Sequence, residues 1–306
     1  MSDPVLVHIG YHKTATKWFQ ERLFPHHPDL VPLHRDVIAK ALVWPHPLHF
    51  DPVAARAELL PHLEAAWQEG KVPVLSAERL SGNPTSGGFD AKEIAERIAA
   101  TLPEARVWMQ IREQRAAVAS YYKQYVQEGG TARIGRFLAG DGVLKRQPVF
   151  RLEHWDYGPL VAQYRDLVGD DRLLVTLYEA FRDDADAVVG KVCAHAGVAV
   201  PGSLPDPGRR RNVSYSDLSI RIIRATNGLY AHPYVDHRPL LRLPGRRVPR
   251  VLLKGLDRVW GRRAGGKAIQ NAITAAVAEH YVAGNQRLAG LLGVDLAERG
   301  YAVSSD

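Results

Sequence analysis

The stretch VLVHIGYHKTATKWFQ, residues 5–20, decides the fold class of this chain of 306 residues. It begins with a short apolar run that ends at Gly10, continues through a loop with one lysine and two threonines, and ends in a helical pattern. In a strand–loop–helix unit, the free backbone N–H groups at the start of the helix favour a bound anion. The stretch therefore predicts a phosphate-binding loop in an α/β protein.

The loop does not fit the motif that binds nucleoside triphosphates, G-x-x-x-x-G-K-[ST]. Counted from Gly10, that motif would need its second glycine at Ala15, its lysine at Thr16 and its hydroxyl at Lys17. The later apolar runs continue as SAE, IR and YE, so they lack the terminal aspartate that would hold Mg²⁺. An enzyme that hydrolyses ATP or GTP is a weak fit, and a P-loop kinase-like, ATP-dependent phosphotransferase stays open as the alternative.

Further apolar runs extend the α/β pattern along the chain. Runs rich in Val, Ile and Leu predict the buried strands of a parallel sheet, at Val5–Ile9, Val72–Ser76, Arg106–Ile111 and Leu173–Tyr178. Helical patterns lie between them, at Thr16–Leu23, Pro52–Glu69 and Asp90–Ala100, the last with Asp90 as its N-cap. After residue 212 helices dominate. We expect one domain over residues 1–306, with a three-layer P-loop-like fold and a helical C-terminal subregion packed on the sheet.

Composition narrows the class of protein. Cys193 is the single cysteine, which excludes an internal disulfide and a cysteine-based metal cluster. No run approaches the ~20 apolar residues that span a bilayer, and the N-terminal run is too short for a signal peptide. We therefore expect a cytoplasmic, soluble protein.

The net charge of +7 is concentrated in one segment, residues 238–263, which holds nine Arg or Lys and one Asp. The rest of the chain carries a net charge of −1, so the pattern argues against a nucleic-acid-binding protein and for one basic face. A helical stripe of apolar residues from Val248 fits an ordinary surface helix. The same segment also fits an anionic acceptor, such as a polysaccharide or a phospholipid-linked sugar, or a peripheral contact at the inner membrane surface.

The stretch HIGYHKTATKWFQ resembles the 5′-phosphosulfate loop of sulfotransferases, which use 3′-phosphoadenosine 5′-phosphosulfate (PAPS). The matching positions are Gly10, Lys13, Thr14 and Thr16, with Gln20 on the following helix. The departures are His12, Ala15 and Lys17, where the family commonly has proline, glycine and a hydroxyl. Ala15 matters only if its backbone needs a positive φ, which residues other than glycine seldom adopt.

A second marker lies in VWMQIREQRAAVASYYKQY. Arg112 ends an apolar run and Ser120 follows eight residues later, within a helical pattern. In the family this pair clamps the 3′-phosphate of PAPS, which suits the planar fork of an arginine and the donor of a hydroxyl. The family's proline two residues after the arginine is replaced by Gln114. Looser similarities to the family, and to its bacterial members at the C-terminus, run through residues 74–82, 173–184, 210–216 and 280–301.

The resemblance implies a PAPS-dependent sulfotransferase that transfers a sulfuryl group to a hydroxyl, releases 3′,5′-adenosine bisphosphate and needs no metal. The residues it implies for the co-substrate are Gly10, Lys13, Thr14, Ala15, Thr16, Lys17, Trp18, Arg112, Ser120, Arg210, Arg211 and Asn212. A carbohydrate or glycolipid is the expected acceptor, and lipid headgroups and small aromatic or natural-product acceptors stay open as alternatives. Lys13 would stabilise charge on the leaving bridging oxygen.

The general base is left open between two residues. Family members use either His or Glu to remove the acceptor's proton. Glu78 ends the second predicted strand, at the carboxyl edge where ligands of open α/β sheets bind, and His34 follows the first helix. His46 and His49 lie in an aromatic loop better suited to acceptor binding. A non-enzymatic module that binds an acidic polymer or a membrane through residues 238–263 is the third hypothesis.

Overall fold

The structure is a computed structural model that describes residues 4–140, 149–204, 215–229, 268–277 and 279–304. Its centre is a sheet of five strands, all parallel, in the order β2-β3-β1-β4-β5. The strands are β1 Val5–Gly10, β2 Leu30–Pro32, β3 Val72–Ser76, β4 Ala105–Ile111 and β5 Leu173–Leu177. The predicted parallel α/β sheet is therefore confirmed.

The sheet differs from the prediction at its edges. Strand β2 was not predicted, because three residues that end in Pro32 give no recognisable period. The last strand ends at Leu177, and Tyr178 begins a helix instead of completing the strand. Strand β1 extends one residue beyond the predicted Ile9, because Gly10 still pairs with Gln110 of β4.

Helices cover both faces of the sheet and complete three layers. Their bounds are α1 Thr16–Trp18, α2 Arg35–Leu42, α3 Pro52–Gln68, α4 Ala91–Thr101, α5 Gln114–Gln127, α6 Ile134–Leu138, α7 Tyr157–Val168, α8 Tyr178–Asp183, α9 Ala185–Ala196, α10 Asp217–Asn227, α11 Ala268–Val277 and α12 Val282–Leu292. A π-helical turn, Phe19–Leu23, and a 3₁₀ turn, Phe24–His26, continue α1, so the predicted helix Thr16–Leu23 is regular only over its first turn. Among the described helices, none has both the length and the apolar character needed to cross a membrane.

The alternation of side chains along β1 divides the core into two parts. Val5, Val7 and Ile9 face the larger core, which α3, α4, α5 and α7 cover. Leu6 faces the smaller core, built from the turn after α1 and from α9. Because β1 is buried on both faces, its run of apolar residues lacks the polar alternation of a half-exposed strand.

Asp90 is the N-cap residue of α4, as predicted, but its side chain makes no capping hydrogen bond. Its carboxylate instead accepts a hydrogen bond from the backbone N–H of Asn83, 3.2 Å away, and forms an ion pair with Arg79. The Asp90 side chain therefore binds the loop that precedes the helix and Arg79, the residue after Glu78.

The C-terminal helices pack mainly on other helices, not on the sheet as predicted. α10 and α11 contact α5, and α12 contacts α7. Gln114, at the first position of α5, and Asn285 of α12 are both 1% exposed and pair through their amides. Gln114 Nε2 donates to Asn285 Oδ1 at 2.5 Å, and Asn285 Nδ2 donates to Gln114 Oε1 at 3.2 Å and to Ala302 O at 2.9 Å. The residue that replaces the family's proline thus fixes the C-terminus to the start of α5.

We expect Asn285→Leu to lower the free energy of unfolding by about 2–4 kcal/mol, because it leaves buried amide groups of Gln114 without partners. Gln286→Leu is the matched control, since exposed Gln286 makes one hydrogen bond, to Val303 O. That control should cost under ~0.5 kcal/mol. Denaturant titration measures both, and equal losses in the two variants would contradict the role of the buried pair.

Candidate active site

The loop between β1 and α1 holds two strained backbone positions. Lys13 has a φ of 72° and Ala15 a φ of 65°, and they are the two non-glycine residues with positive φ in the described part of the chain. Each left-handed residue of this kind costs roughly 1–2 kcal/mol. Single left-handed residues in a turn let successive N–H groups converge, which is the geometry of an anion-binding nest. Ala15 therefore keeps the conformation for which the family's glycine is suited.

Gly10 is needed because its site has no room for a side chain, and not because its backbone has a positive φ. It is not among the residues with positive φ. A Cβ at this position would lie 2.4 Å from Thr16 Oγ1 and 2.9 Å from His8 Nε2, closer than atoms can approach. The missing side chain lets the first residue of α1 pack directly on the end of β1.

The two threonines of the loop are fully buried. Thr14 Oγ1 donates to the backbone oxygen of Tyr11 at 2.5 Å and lies 3.4 Å from Thr16 Oγ1. The hydroxyl of Thr14 therefore braces the loop from inside, and its backbone N–H remains the group suited to an anion.

Lys13 is held at both ends. Its backbone oxygen accepts a hydrogen bond from Arg112 Nη1 at 2.9 Å, and its Nζ donates to Gln124 Oε1 of α5 at 3.2 Å. Desolvation by burial lowers the pKa of Lys13, with Glu78 opposing that shift and Arg112 adding to it. The loop thus presents an ammonium group that is partly removed from water.

Arg112 is fixed and keeps a donor to spare. Its guanidinium lies over the ring of Tyr178, 4.5 Å from the centroid, and its backbone oxygen accepts from Tyr157 Oη at 2.7 Å. Arg112 Nε is buried and has no hydrogen-bond partner among the described residues. An unpaired buried donor of this kind is costly unless a ligand satisfies it.

Ser120 lies on α5, half-buried, and shares a helix face with Gln124 because four residues separate them. Gln124 contacts Lys13, so that face of α5 is turned toward the loop. Ser120 therefore lies on the face of α5 that is turned toward the loop.

Glu78 lies beside the loop. It follows β3, whose Ser76 is paired with His8 of β1, and it begins a short 3₁₀ helix that ends at Ser81. Desolvation by burial raises the pKa of Glu78 above its ordinary value of 4.5, and the positive charge of Lys13 opposes the rise. A carboxylate whose pKa is raised is a stronger base than an ordinary one, which suits the removal of a proton from an acceptor.

His34 lies elsewhere on the carboxyl edge. It is exposed and forms the N-cap of α2, where its Nδ1 accepts from the backbone N–H of Asp36 at 3.3 Å. It follows β2, which β3 separates from β1. Within the described residues, its side chain makes its hydrogen bond and its ion pair with Asp36 and not with the loop.

The other residues predicted to bind the co-substrate or the acceptor differ in how exposed they are. Lys17 is exposed at the start of α1, and Trp18 is half-buried with its ring 5.0 Å from the rings of both Phe19 and Phe181. Arg210, Arg211 and Asn212 lie outside the described residues, as does the basic segment 238–263. His46 and His49 are exposed and their rings lie 5.4 Å apart.

A buried hydrogen-bond network lies beneath the loop and was not predicted from the sequence. Gln20 Nε2 donates to Ser76 O at 2.9 Å and to Ser76 Oγ at 3.1 Å, and His8 Nδ1 lies 2.8 Å from the same hydroxyl. The His8 ring stacks on Trp108 at 3.9 Å, and burial lowers its pKa to about 3, so it is neutral. The network ties the helix after the loop to the strand that leads to Glu78. Its one sequence signal is that polar residues occupy strand positions within buried apolar runs.

Comparison with known proteins supports the fold assignment. No protein-family model matches the chain, and no curated protein matches it. A solved sulfotransferase from Alicyclobacillus acidocaldarius is similar, with 20% identity over 74% of this chain and 93% of that chain and a TM-score of 0.50. The sulfotransferase domain of the Synechococcus PCC 7002 olefin synthase matches 76% of this chain and 90% of its own, with 13% identity and a TM-score of 0.41. Mouse sulfotransferase SULT7A1, solved in complex with PAP, matches 89% and 88% with 13% identity and a TM-score of 0.35.

The fold of this chain is therefore that of a sulfotransferase, on the strength of the likeness to the Alicyclobacillus protein. The three-layer P-loop-like class predicted from the sequence is confirmed. At 20% identity, the likeness shows the fold alone.

The left-handed conformation of Ala15 generates a prediction about stability. We expect Ala15→Gly to raise the free energy of unfolding by about 0.5–1 kcal/mol, because relief of the positive φ outweighs the extra freedom of glycine in the unfolded chain. Ala57→Gly, on the exposed side of α3, is the control and should lower it by about 0.5–1 kcal/mol. Thermal or denaturant unfolding measures both, and a loss of stability in both variants would show that Ala15 is not strained.

Proposed function

We propose that this protein is a PAPS-dependent sulfotransferase that transfers a sulfuryl group to an acceptor hydroxyl. The observation that carries the proposal is the junction of Lys13 and Arg112. The loop that would hold the 5′-phosphosulfate and the arginine that would hold the 3′-phosphate are joined by one hydrogen bond. Two phosphate-binding groups in direct contact suit a nucleotide that carries phosphates at both its 3′ and 5′ positions.

The residues fit such a co-substrate. The left-handed loop offers converging backbone N–H groups, and Arg112 has a buried Nε without a partner in the described part of the chain. Ser120 shares a helix face with a residue that contacts Lys13. Thr16, at the first helical position, and Lys17 add a donor and a cation. Arg210, Arg211 and Asn212 are proposed as further contacts on the sequence resemblance alone. The co-substrate supplies the activated sulfuryl group.

In the proposed mechanism, the protein orients the reactants and neutralises charge. Arg112 and Ser120 fix the 3′-phosphate, and the loop amides fix the opposite end of the nucleotide. Lys13, an ammonium group in a partly desolvated site, stabilises negative charge on the bridging oxygen as 3′,5′-adenosine bisphosphate leaves. Glu78 accepts the proton of the acceptor hydroxyl. Glu78 is preferred over His34 as the base because it follows β3, the neighbour of β1, whereas His34 follows β2, which β3 separates from β1.

We propose a carbohydrate or glycolipid hydroxyl as the acceptor, on the basis of the basic segment 238–263. A peripheral contact of that segment with an acidic membrane surface belongs to the same proposal. The kinase-like alternative has less support: in the described strands, none ends in an aspartate that could hold Mg²⁺.

Nucleotide binding tests the proposal directly. We expect 3′,5′-adenosine bisphosphate at 100 times its dissociation constant to add about 2.7 kcal/mol to the stability of the protein, a thermal shift of several degrees, with little effect of Mg-ATP. Lys13→Ala and Arg112→Ala should each remove most of the shift, because each loses a charged contact to a phosphate. Lys40→Ala, which removes an exposed ion pair with Glu58, is the control. Stabilisation by Mg-ATP and not by the bisphosphate would overturn the assignment.

The base is tested by transfer from ³⁵S-labelled PAPS to a panel of carbohydrate, glycolipid and phenolic acceptors. The rate of the parent protein should rise with pH through the raised pKa of Glu78, above 4.5, since the carboxylate is the active form. We expect Glu78→Gln to lose that rise and ~10²–10⁴-fold in rate. His34→Gln should keep the rate within about twofold. The opposite pattern in the two variants would assign the base to His34.

A further inference from the structure

Gln124 contacts Lys13 and takes no direct part in the proposed transfer step. Its side chain bridges two charged residues: Oε1 accepts from Lys13 Nζ at 3.2 Å, and Nε2 donates to Glu128 Oε1 at 2.8 Å. Residues 120, 124 and 128 follow one another at intervals of four, so they share one face of α5 and its C-terminal cap. The amide therefore continues the face that carries Ser120.

We propose that Gln124 is a positioning residue for Lys13, and that Glu128 in turn orients Gln124. This inference rests on the proposed function, because it concerns the lysine that would meet the phosphosulfate. A glutamine amide can present either its oxygen or its NH₂ group. The carboxylate of Glu128 accepts only, so it takes the NH₂ group and leaves the oxygen directed at the ammonium of Lys13.

The surroundings of Lys13 explain why it needs such a partner. The charged and titratable groups that act on Lys13 or on its immediate neighbour His12 come from several elements around the loop. They are Lys17 of α1, Glu78 and Arg79 after β3, Arg112 after β4, Glu128 at the end of α5, and His154 before α7. Burial, Arg112 and Lys17 all disfavour the charged form of Lys13. A carbonyl oxygen that accepts from the ammonium favours the charged form, and it also fixes the direction of a flexible side chain.

The arrangement gives Lys13 two separate restraints. Arg112 holds the backbone oxygen in the left-handed loop, and Gln124 holds the far end of the side chain. The ammonium is thereby kept charged and in place before a nucleotide arrives, so less ordering is needed on binding. The role of Gln124 is exerted through Lys13, and no contact with the substrate is required.

The first experiment measures the ionisation of Lys13 without any nucleotide. Acetic anhydride labels uncharged amines, and mass spectrometry after labelling across a pH series gives the ionisation curve of Lys13. We expect Gln124→Met, which keeps the length but loses the oxygen acceptor, to shift that curve to lower pH by about one to two units. Gln127→Met is the matched control, because Gln127 lies on the same helix and donates to Lys123 O. A Gln124→Met curve that superimposes on that of the parent would overturn the inference.

The second experiment measures the dissociation constant of 3′,5′-adenosine bisphosphate by calorimetry between about pH 6 and 10.5, where the charge of Lys13 is lost. In Gln124→Met the alkaline loss of affinity should begin at lower pH by the same shift, and Gln127→Met should match the parent. A shifted labelling curve with unchanged affinity at every pH would contradict the positioning role. A shifted labelling curve in a protein whose parent does not bind the bisphosphate would overturn the proposed function and leave the link between Gln124 and Lys13 intact.

Glu128→Gln provides a second variant that perturbs the helix less. It retains an oxygen to accept from Gln124 Nε2 but removes the charge, so the labelling curve of Lys13 should move in the same direction by less. A shift to higher pH in this variant would contradict the proposed orientation of the Gln124 amide.

Discussion

The hydrogen bond from Arg112 to the backbone oxygen of Lys13 is the contact on which the rest of the site depends. It joins the residues that follow two neighbouring strands, β1 and β4, which pair in parallel over their whole length up to Gly10 and Gln110. Lys13 has a left-handed backbone, and the hydrogen bond from Arg112 to its carbonyl oxygen compensates part of the cost of that conformation. The same hydrogen bond therefore stabilises the strained loop and fixes the position of the arginine.

The strand order explains why the functional side chains meet. β1 is the central strand, with β3 on one side and β4 on the other, so the residues after these three strands share one stretch of the carboxyl edge. Glu78 follows β3, the loop follows β1 and Arg112 follows β4. Ligands of open α/β sheets bind at this edge. The buried bonds among His8, Gln20 and Ser76 fix two of these strands to the helix after the loop, below the level of the site.

The sequence was sufficient to predict the parallel sheet, the loop and the proximity of Glu78, because each follows from a local pattern and from strand polarity. It was not sufficient for β2, whose three residues carry no period, or for the end of β5, where Tyr178 could belong to a strand or to a helix. The pairing of Gln114 with Asn285 joins residues 171 positions apart, and no local pattern signals such a contact. The bond between Lys13 and Gln124 is hidden for the same reason, since it depends on how α5 is rotated above the loop.

At positions 15 and 114, where this chain departs from the sulfotransferase pattern, the substituted residues have different costs and contacts. Alanine at position 15 keeps the left-handed backbone at a cost of about 1 kcal/mol and adds a methyl group, which leaves the shape of the loop unchanged. Glutamine at position 114 gives up the rigid ring of proline at the first position of α5, where a missing N–H would cost nothing. It gains a reciprocal amide pair that fixes α12 to the helix bearing Ser120 and Gln124. Because α5 also holds the ammonium of Lys13, the C-terminal part of the chain acts on the loop through α5. The orientation of α5 constrains the loop, and neither departure removes that constraint.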